Sequence, residues 1–236
     1  MSERTPAGPH QAPAPWRARV GRLVGLVLFR VLYRVEVLGA EQVPPEQPVL
    51  LVSNHLGLLD GPLVLGAAPR PASFMIKQEL FAGALGALLR GVGQIAVDRS
   101  TGDREALGTA LAVLRRGGAV GVFPEGTRGR GDVAQVHQGA TWLALQSRAH
   151  VVPVACLGTR ATGAGRTSLP RLRSRLVVAF GEPFRPETPQ GVPGRERLRM
   201  ASEQLRGLLA DHVAQVSVAS GMALPDDAPP NVRDNG

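Results

Sequence analysis

The chain has 236 residues, 44% of them apolar and only one a cysteine, which suits one globular domain with tails and excludes an internal disulfide or a cysteine zinc site. Its formal charge of +8 rests almost wholly on arginine, Lys77 being the single lysine, so an anionic partner is expected: lipid headgroups, phosphorylated metabolites or nucleic acid. Aromatic residues make up 4% and do not interleave with the arginines, which counts against stacking on nucleic-acid bases.

Residues 1–15, proline-rich and polar, read as a disordered tail with no resemblance to a secretory signal. The stretch "WRARVGRLVGLVLFRVLYR" (16–34) reads as a helix. Arg19, Arg22, Arg30 and Arg34 fall on one arc of it and Val24, Val27, Leu28, Val31 and Leu32 on the other, as in a helix lying in the plane of a bilayer interface. Its apolar window is broken by Arg22 and Arg30 and falls short of the roughly 20 residues a membrane span needs.

Apolar runs and helical patterns then take turns. Strands are expected at 49–53, 72–76, 93–97, 119–123, 151–158 and 176–184, and helices at 79–92, 102–118, 137–149 and 194–216. Cys156 sits in an apolar strand and is expected in the core. The segment 159–175, carrying Arg160, Arg166, Arg171, Arg173 and Arg175, reads as a basic loop offering a second membrane contact, and 221–236 as a second disordered tail. The alternation predicts an α/β fold over residues 16–220: a mixed, largely parallel central sheet flanked by helices, with an N-terminal amphipathic, interfacial helix. In such sheets ligands collect at the carboxyl ends of strands.

Two stretches fall at strand ends. In "SNHLGLLDGP" (53–62), His55 and Asp60 are five residues apart, a rotation of about 140° on a regular helix, so they can meet only across a turn or at a helix start. If they meet, the carboxylate fixes the imidazole tautomer and leaves Nε2 free to take a proton. No Gly-x-Ser-x-Gly elbow accompanies them, so the nucleophile is expected to arrive with the substrate, as a hydroxyl. In "VFPEGTRGRG" (122–131), Glu125, Gly126, Thr127 and Arg128 offer a carboxylate, a flexible amide, a hydroxyl and a phosphate-binding guanidinium. Alone, this stretch fits equally a polar turn with a local Glu–Arg pair. The remaining histidines lack metal-ligand spacing, so no metal is expected.

Together, "NHLGLLD", "GQIAVDRS", "FPEGTR" and "VVPVACLG" occur in the order found in the glycerolipid acyltransferase family, which this chain resembles over roughly residues 34–184. The resemblance implies a 1-acylglycerol-3-phosphate acyltransferase, with His55 deprotonating the sn-2 hydroxyl of a lysophosphatidic acid and Asp60 holding the imidazole. It implies that Arg99, Glu125 and Arg128 hold the glycerol phosphate, with Gly126 and Thr127 lining the same pocket. Lys77 and the Gly126 amide are the candidates to face the oxyanion. The donor would be acyl-CoA or acyl-acyl-carrier protein, with no further cofactor, and the place of work the cytoplasmic face of an anionic membrane. A sister enzyme acting on another lysolipid or on glycerol 3-phosphate is the alternative, and a non-catalytic basic membrane-binding module the remote one.

Overall fold

The computed structural model describes residues 12–98 and 103–226. Helix α1 (Pro15–Leu32) leads into strand β1 (Arg34–Leu38), followed by β2 (Val49–Ser53), α2 (Asp60–Ala67), β3 (Ala72–Lys77) and α3 (Gly83–Gly91). Then come β4 (Ile95–Val97), α4 (Arg104–Arg115), β5 (Ala119–Val122), α5 (Gln138–Ser147), β6 (His150–Leu157), β7 (Arg175–Phe180) and α6 (Gly194–Ser220). The strands form one sheet in the order β1-β7-β6-β2-β5-β3-β4. Every neighbouring pair is parallel except β6 and β7, so the sheet is mixed and largely parallel, as expected.

The central strands are apolar at nearly every position because both faces of the sheet are covered. Successive side chains point to opposite faces. Leu50, Val52, Val120 and Val151 therefore pack with Leu114, Leu143, Leu205 and Leu209 of α4, α5 and α6. Val49, Leu51, Val152 and Val154 pack with Phe29, Leu63 and Val64 of α1 and α2.

Several boundaries differ from expectation. The first helix stops at Leu32; Tyr33 is extended and Arg34 opens β1, where it lies level with Arg175 of β7. Pairing at the sheet edge overrides the helical pattern there, so Arg34 is not on the helix. The short α2 is apolar on all sides and therefore carries no helical period to read. The helix expected at 79–92 is a 3-10 turn, Gln78–Phe81, followed by α3, and the break falls at Gly83, whose φ of 57° is left-handed. Strand β7 ends at Phe180, and Phe184 makes only an isolated bridge to Val151.

Helix α1 docks through its small residues. Ala18, Gly21, Gly25 and Phe29 form its buried face, and a Cβ built on Gly66 of α2 would lie 2.6 Å from the carbonyl carbon of Gly25. Only glycine at both positions lets the two backbones approach this closely. The larger apolar residues Val20, Leu23, Val24, Val27, Leu28 and Val31 are left 44–64% exposed. Arg22 does not share the exposed arc expected for it, because its Nε donates to the Ala68 carbonyl at 2.6 Å. Among the described residues no helix is long and apolar enough to cross a membrane.

Candidate active site

Three adjacent parallel strands, β5, β2 and β6, end on the same edge of the sheet, and the loops leaving them converge. Beyond β2, the side chain of Asn54 continues the pairing the backbone has given up. Its Nδ2 donates to the Cys156 carbonyl at 3.1 Å, and its Oδ1 accepts the Cys156 amide at 2.7 Å. This holds the next residue, His55, at the rim.

Asp60 is the first residue of α2, so its carboxylate can turn back toward the preceding loop as an N-terminal side chain does. Its Oδ2 lies 2.8 Å from His55 Nδ1 and accepts the amides of Leu56 at 2.6 Å and Gly57 at 2.8 Å. Its Oδ1 accepts the Thr159 hydroxyl at 2.5 Å and faces the Cys156 thiol at 3.5 Å. Asp60 is fully buried, and a carboxylate surrounded by donors can only be an acceptor. The hydrogen between the two side chains therefore belongs to His55 Nδ1, and Nε2 of the neutral ring carries the free lone pair. The imidazole is 11% exposed and stacks on Phe123 at 4.2 Å between ring centroids.

The turn after β5 grips the same histidine by its backbone. Glu125 Oε1 accepts the His55 amide at 2.8 Å, and the Gly129 amide donates to the His55 carbonyl at 2.9 Å. Gly126 bends the turn with a φ of 73°, and its amide donates to the Phe123 carbonyl at 3.1 Å. A Cβ there would meet His137 Nε2 at 2.4 Å, so the position requires glycine on two counts. Thr127 is exposed. Arg128 is partly buried, and its Nε is a buried donor with no hydrogen-bond partner. A buried donor of this kind can bond an ordered water or an incoming acceptor.

Burial pushes the Glu125 carboxyl up from 4.5 to about 7; the His55 amide opposes the rise, while the charges of Asp132 and Asp60 add to it. A carboxyl harder to ionise in the fold contributes stability that is present below its unfolded value and lost as pH rises through its folded value. Glu125→Gln removes the charge and keeps an oxygen for the His55 amide. The variant is expected to melt above the wild type at about pH 8, by about 2–4 °C for each kcal/mol relieved, with the gap closing by about pH 4. Melting curves at the two pH values check this, and a gap independent of pH would remove the buried charge as its cause.

Of the other expected residues, Lys77 ends β3 on the same sheet edge, half exposed, with its ammonium 2.7 Å from Glu79. Arg99 lies outside the described residues. Arg160 does not belong to an exposed basic loop: it is buried, and its guanidinium donates to the carbonyls of Gly129 at 2.9 Å and Ala164 at 3.0 Å. Arg175 belongs to β7 rather than to the loop and pairs there with Glu36 at 2.7 Å; it is exposed, as are Arg166, Arg171 and Arg173. Asn54, Phe123 and Thr159 were not anticipated. The signal for Thr159 is its place, two residues past the end of an apolar strand, as His55 is past β2.

A cavity of about 320 Å³ shares Phe123 and Gly126 with this site; Met75, Val97, Leu107, Val122 and Ala140 give it apolar walls, and Asp98, Asp103, His137 and Gln138 also line it. A larger one, about 810 Å³, lies between the Gln78–Phe81 turn and α4 and touches none of His55, Asp60 or Glu125, so its size does not make it the reaction site. Among the described residues no group of three histidines, cysteines or acids is placed to hold a metal ion.

A histidine oriented by a buried carboxylate, at the carboxyl edge of a doubly covered sheet and beside an arginine, is a geometry suited to base-assisted transfer to an anionic substrate. The family model described as "Acyltransferase" matches residues 34–157. A Bacillus subtilis protein named 1-acyl-sn-glycerol-3-phosphate acyltransferase is 30% identical over 72% of this chain and 84% of its own. The human 1-acyl-sn-glycerol-3-phosphate acyltransferase alpha is 36% identical over 56% of this chain and half of its own length. A Pseudomonas aeruginosa lyso-ornithine lipid O-acyltransferase is 38% identical over 47% of this chain and 43% of its own. The crystal structure of the 1-acyl-sn-glycerophosphate acyltransferase PlsC from Thermotoga maritima superposes with a TM-score of 0.65 at 25% identity, covering 85% of this chain and 79% of that one. The chain is an enzyme of the acyltransferase family and, within it, a PlsC-like glycerolipid acyltransferase.

Proposed function

We propose that the protein moves a fatty acyl group from a thioester, acyl-CoA or acyl-acyl-carrier protein, to the sn-2 hydroxyl of 1-acylglycerol 3-phosphate, giving phosphatidic acid for phospholipid biosynthesis. The observation that carries this reading is the contact of His55 Nδ1 with buried Asp60, made beside the Glu125–Arg128 turn. His55 Nε2 takes the hydroxyl proton as the oxygen attacks the thioester carbonyl. The tetrahedral intermediate then collapses, the carbon–sulfur bond breaks, and the imidazolium gives its proton to the leaving sulfur, which departs as the thiol and restores the neutral base. Arg128, with its unpaired Nε, holds the acceptor phosphate together with Arg99, and Glu125, Gly126 and Thr127 line that pocket. A Glu125 carboxyl with a value of about 7 is in part neutral near that pH, which lessens its repulsion of the phosphate. Lys77 is the cation left for the oxyanion, since the Gly126 amide is turned to Phe123. The apolar walls of the cavity beside Phe123 suit an acyl chain. The thioester is a co-substrate, and the reaction as written needs no further cofactor.

Both lipid substrate and product reside in a bilayer, and the exposed apolar residues of α1 suit peripheral attachment to a cytoplasmic membrane face. Flotation with anionic vesicles is expected to carry the protein upward, and recovery in the lipid-free fraction at low salt would overturn that attachment.

The acceptor is tested by offering lysophosphatidic acid, lysophosphatidylcholine, glycerol 3-phosphate and a lyso-ornithine lipid to purified enzyme and determining product regiochemistry. Lysophosphatidic acid is expected to give the highest kcat/KM, with the new chain at sn-2. If only an acceptor lacking a terminal phosphate monoester reacts, the named substrate is wrong.

A further inference from the structure

Asp60 is held from two directions, and only one of them belongs to its own loop. Its Oδ2 takes three donors from residues 55–57, all on one side. Its Oδ1 depends on β6 and the turn that follows it, through the Cys156 thiol at 3.5 Å and the Thr159 hydroxyl at 2.5 Å. The thiol is a weak donor. The torsion that rotates a carboxylate is broad and roughly two-fold, so nothing intrinsic to aspartate keeps its plane facing the imidazole. Thr159 supplies what the torsion lacks. It is fully buried and brought there by Gly158, whose φ of 84° turns the chain just past β6. The other face of this turn is closed against the histidine loop, since a Cβ on Gly57 would lie 3.2 Å from the Thr159 carbonyl oxygen.

We infer that Thr159 is a positioning residue for acyl transfer, acting through Asp60: its hydroxyl anchors Oδ1 so that Oδ2 stays in line with His55 Nδ1. It touches no substrate. The inference deepens the function proposed above and rests on His55 and Asp60 acting as base and orienter.

The test is kinetic. Thr159→Val keeps the shape and removes the hydroxyl. A hydrogen bond to a charged group is worth about tenfold to a hundredfold, so kcat with lysophosphatidic acid and an acyl thioester is expected to fall by about that factor. Acceptor and donor KM should stay within about twofold of wild type, because bound substrate meets an unchanged pocket. Thr159→Ser, which restores the donor, is expected to recover kcat to within a few fold. In an Asp60→Ala background, where the side chain that Thr159 holds is gone, Thr159→Val should cost less than about twofold. Should the valine variant not fold, Thr159→Ser against Thr159→Ala reads the same contrast with one hydroxyl between them. Wild-type kcat in Thr159→Val, no recovery with serine, or an undiminished loss in the Asp60→Ala background would each overturn the inference. An inactive wild type would instead defeat the proposed substrate, so the two failures are distinct.

Discussion

His55→Ala is expected to lower kcat by about 10⁴-fold, the upper end of what a positioned general base contributes, with acceptor KM nearly unchanged. The size follows from how completely the site is built around this ring. Asp60 fixes its tautomer, Phe123 stacks on its face, and Glu125 and Gly129 hold its backbone from both sides. Other bases at the edge do not stand in for it. The Cys156 thiol is buried, and burial pushes its ionisation well above the ordinary thiol range. Glu125 already spends an oxygen on the His55 amide. Folding should survive, because Asp60 keeps the Leu56, Gly57 and Thr159 donors when the imidazole is removed. Steady-state kinetics together with a melting curve check both halves. A large loss of kcat in a protein that no longer melts cooperatively would not count in favour of the base.

Asp60→Asn is expected to cost about 10²–10⁴-fold in kcat, and for a definable reason. An asparagine here has one sensible orientation. Its oxygen must face the Leu56 and Gly57 amides and His55 Nδ1, because an amide nitrogen would confront those donors with hydrogens of its own. Its nitrogen then faces Thr159, whose hydroxyl can turn round and accept. The hydrogen bond that sets the tautomer survives, and what disappears is the negative charge that stabilises the ring as it takes up a proton. The loss should therefore fall on kcat rather than on substrate KM. Near-wild-type turnover would show that orientation alone suffices. A raised acceptor KM would move Asp60 from the chemistry to substrate binding.

How much of this was legible in the sequence depends on the range of each interaction. The strands of the sheet centre could be read because burial on both faces makes them continuously apolar, and α4 because its ends carry the charges a helix dipole favours. Strand β1 could not, since "RVEVL" becomes a strand only by lying beside β7, some 140 residues later. The same holds within the site. The meeting of His55 and Asp60 is local, so their spacing and the glycines around them left room for it across a turn or at a helix start. The link from Glu125 to the His55 amide joins side chain to backbone across 70 residues, and that from Thr159 to Asp60 spans 99. Neither leaves a spacing to find. On α1, periodicity could not show which face docks: that face follows the glycines, and so Arg22 turns inward while valines and leucines stay outside.

The central claim is that His55 activates the acceptor's own hydroxyl, so the acyl group passes directly from thioester to lipid. The measurement that bears on it most directly is the intact mass of the enzyme, with free thiol followed in parallel, after mixing with acyl-CoA or acyl-acyl-carrier protein and no acceptor. Direct transfer predicts an unchanged protein mass and no burst of thiol, then equal amounts of thiol and phosphatidic acid once lysophosphatidic acid is added. One acyl group gained per enzyme, with a matching burst of thiol before any acceptor is present, would contradict it.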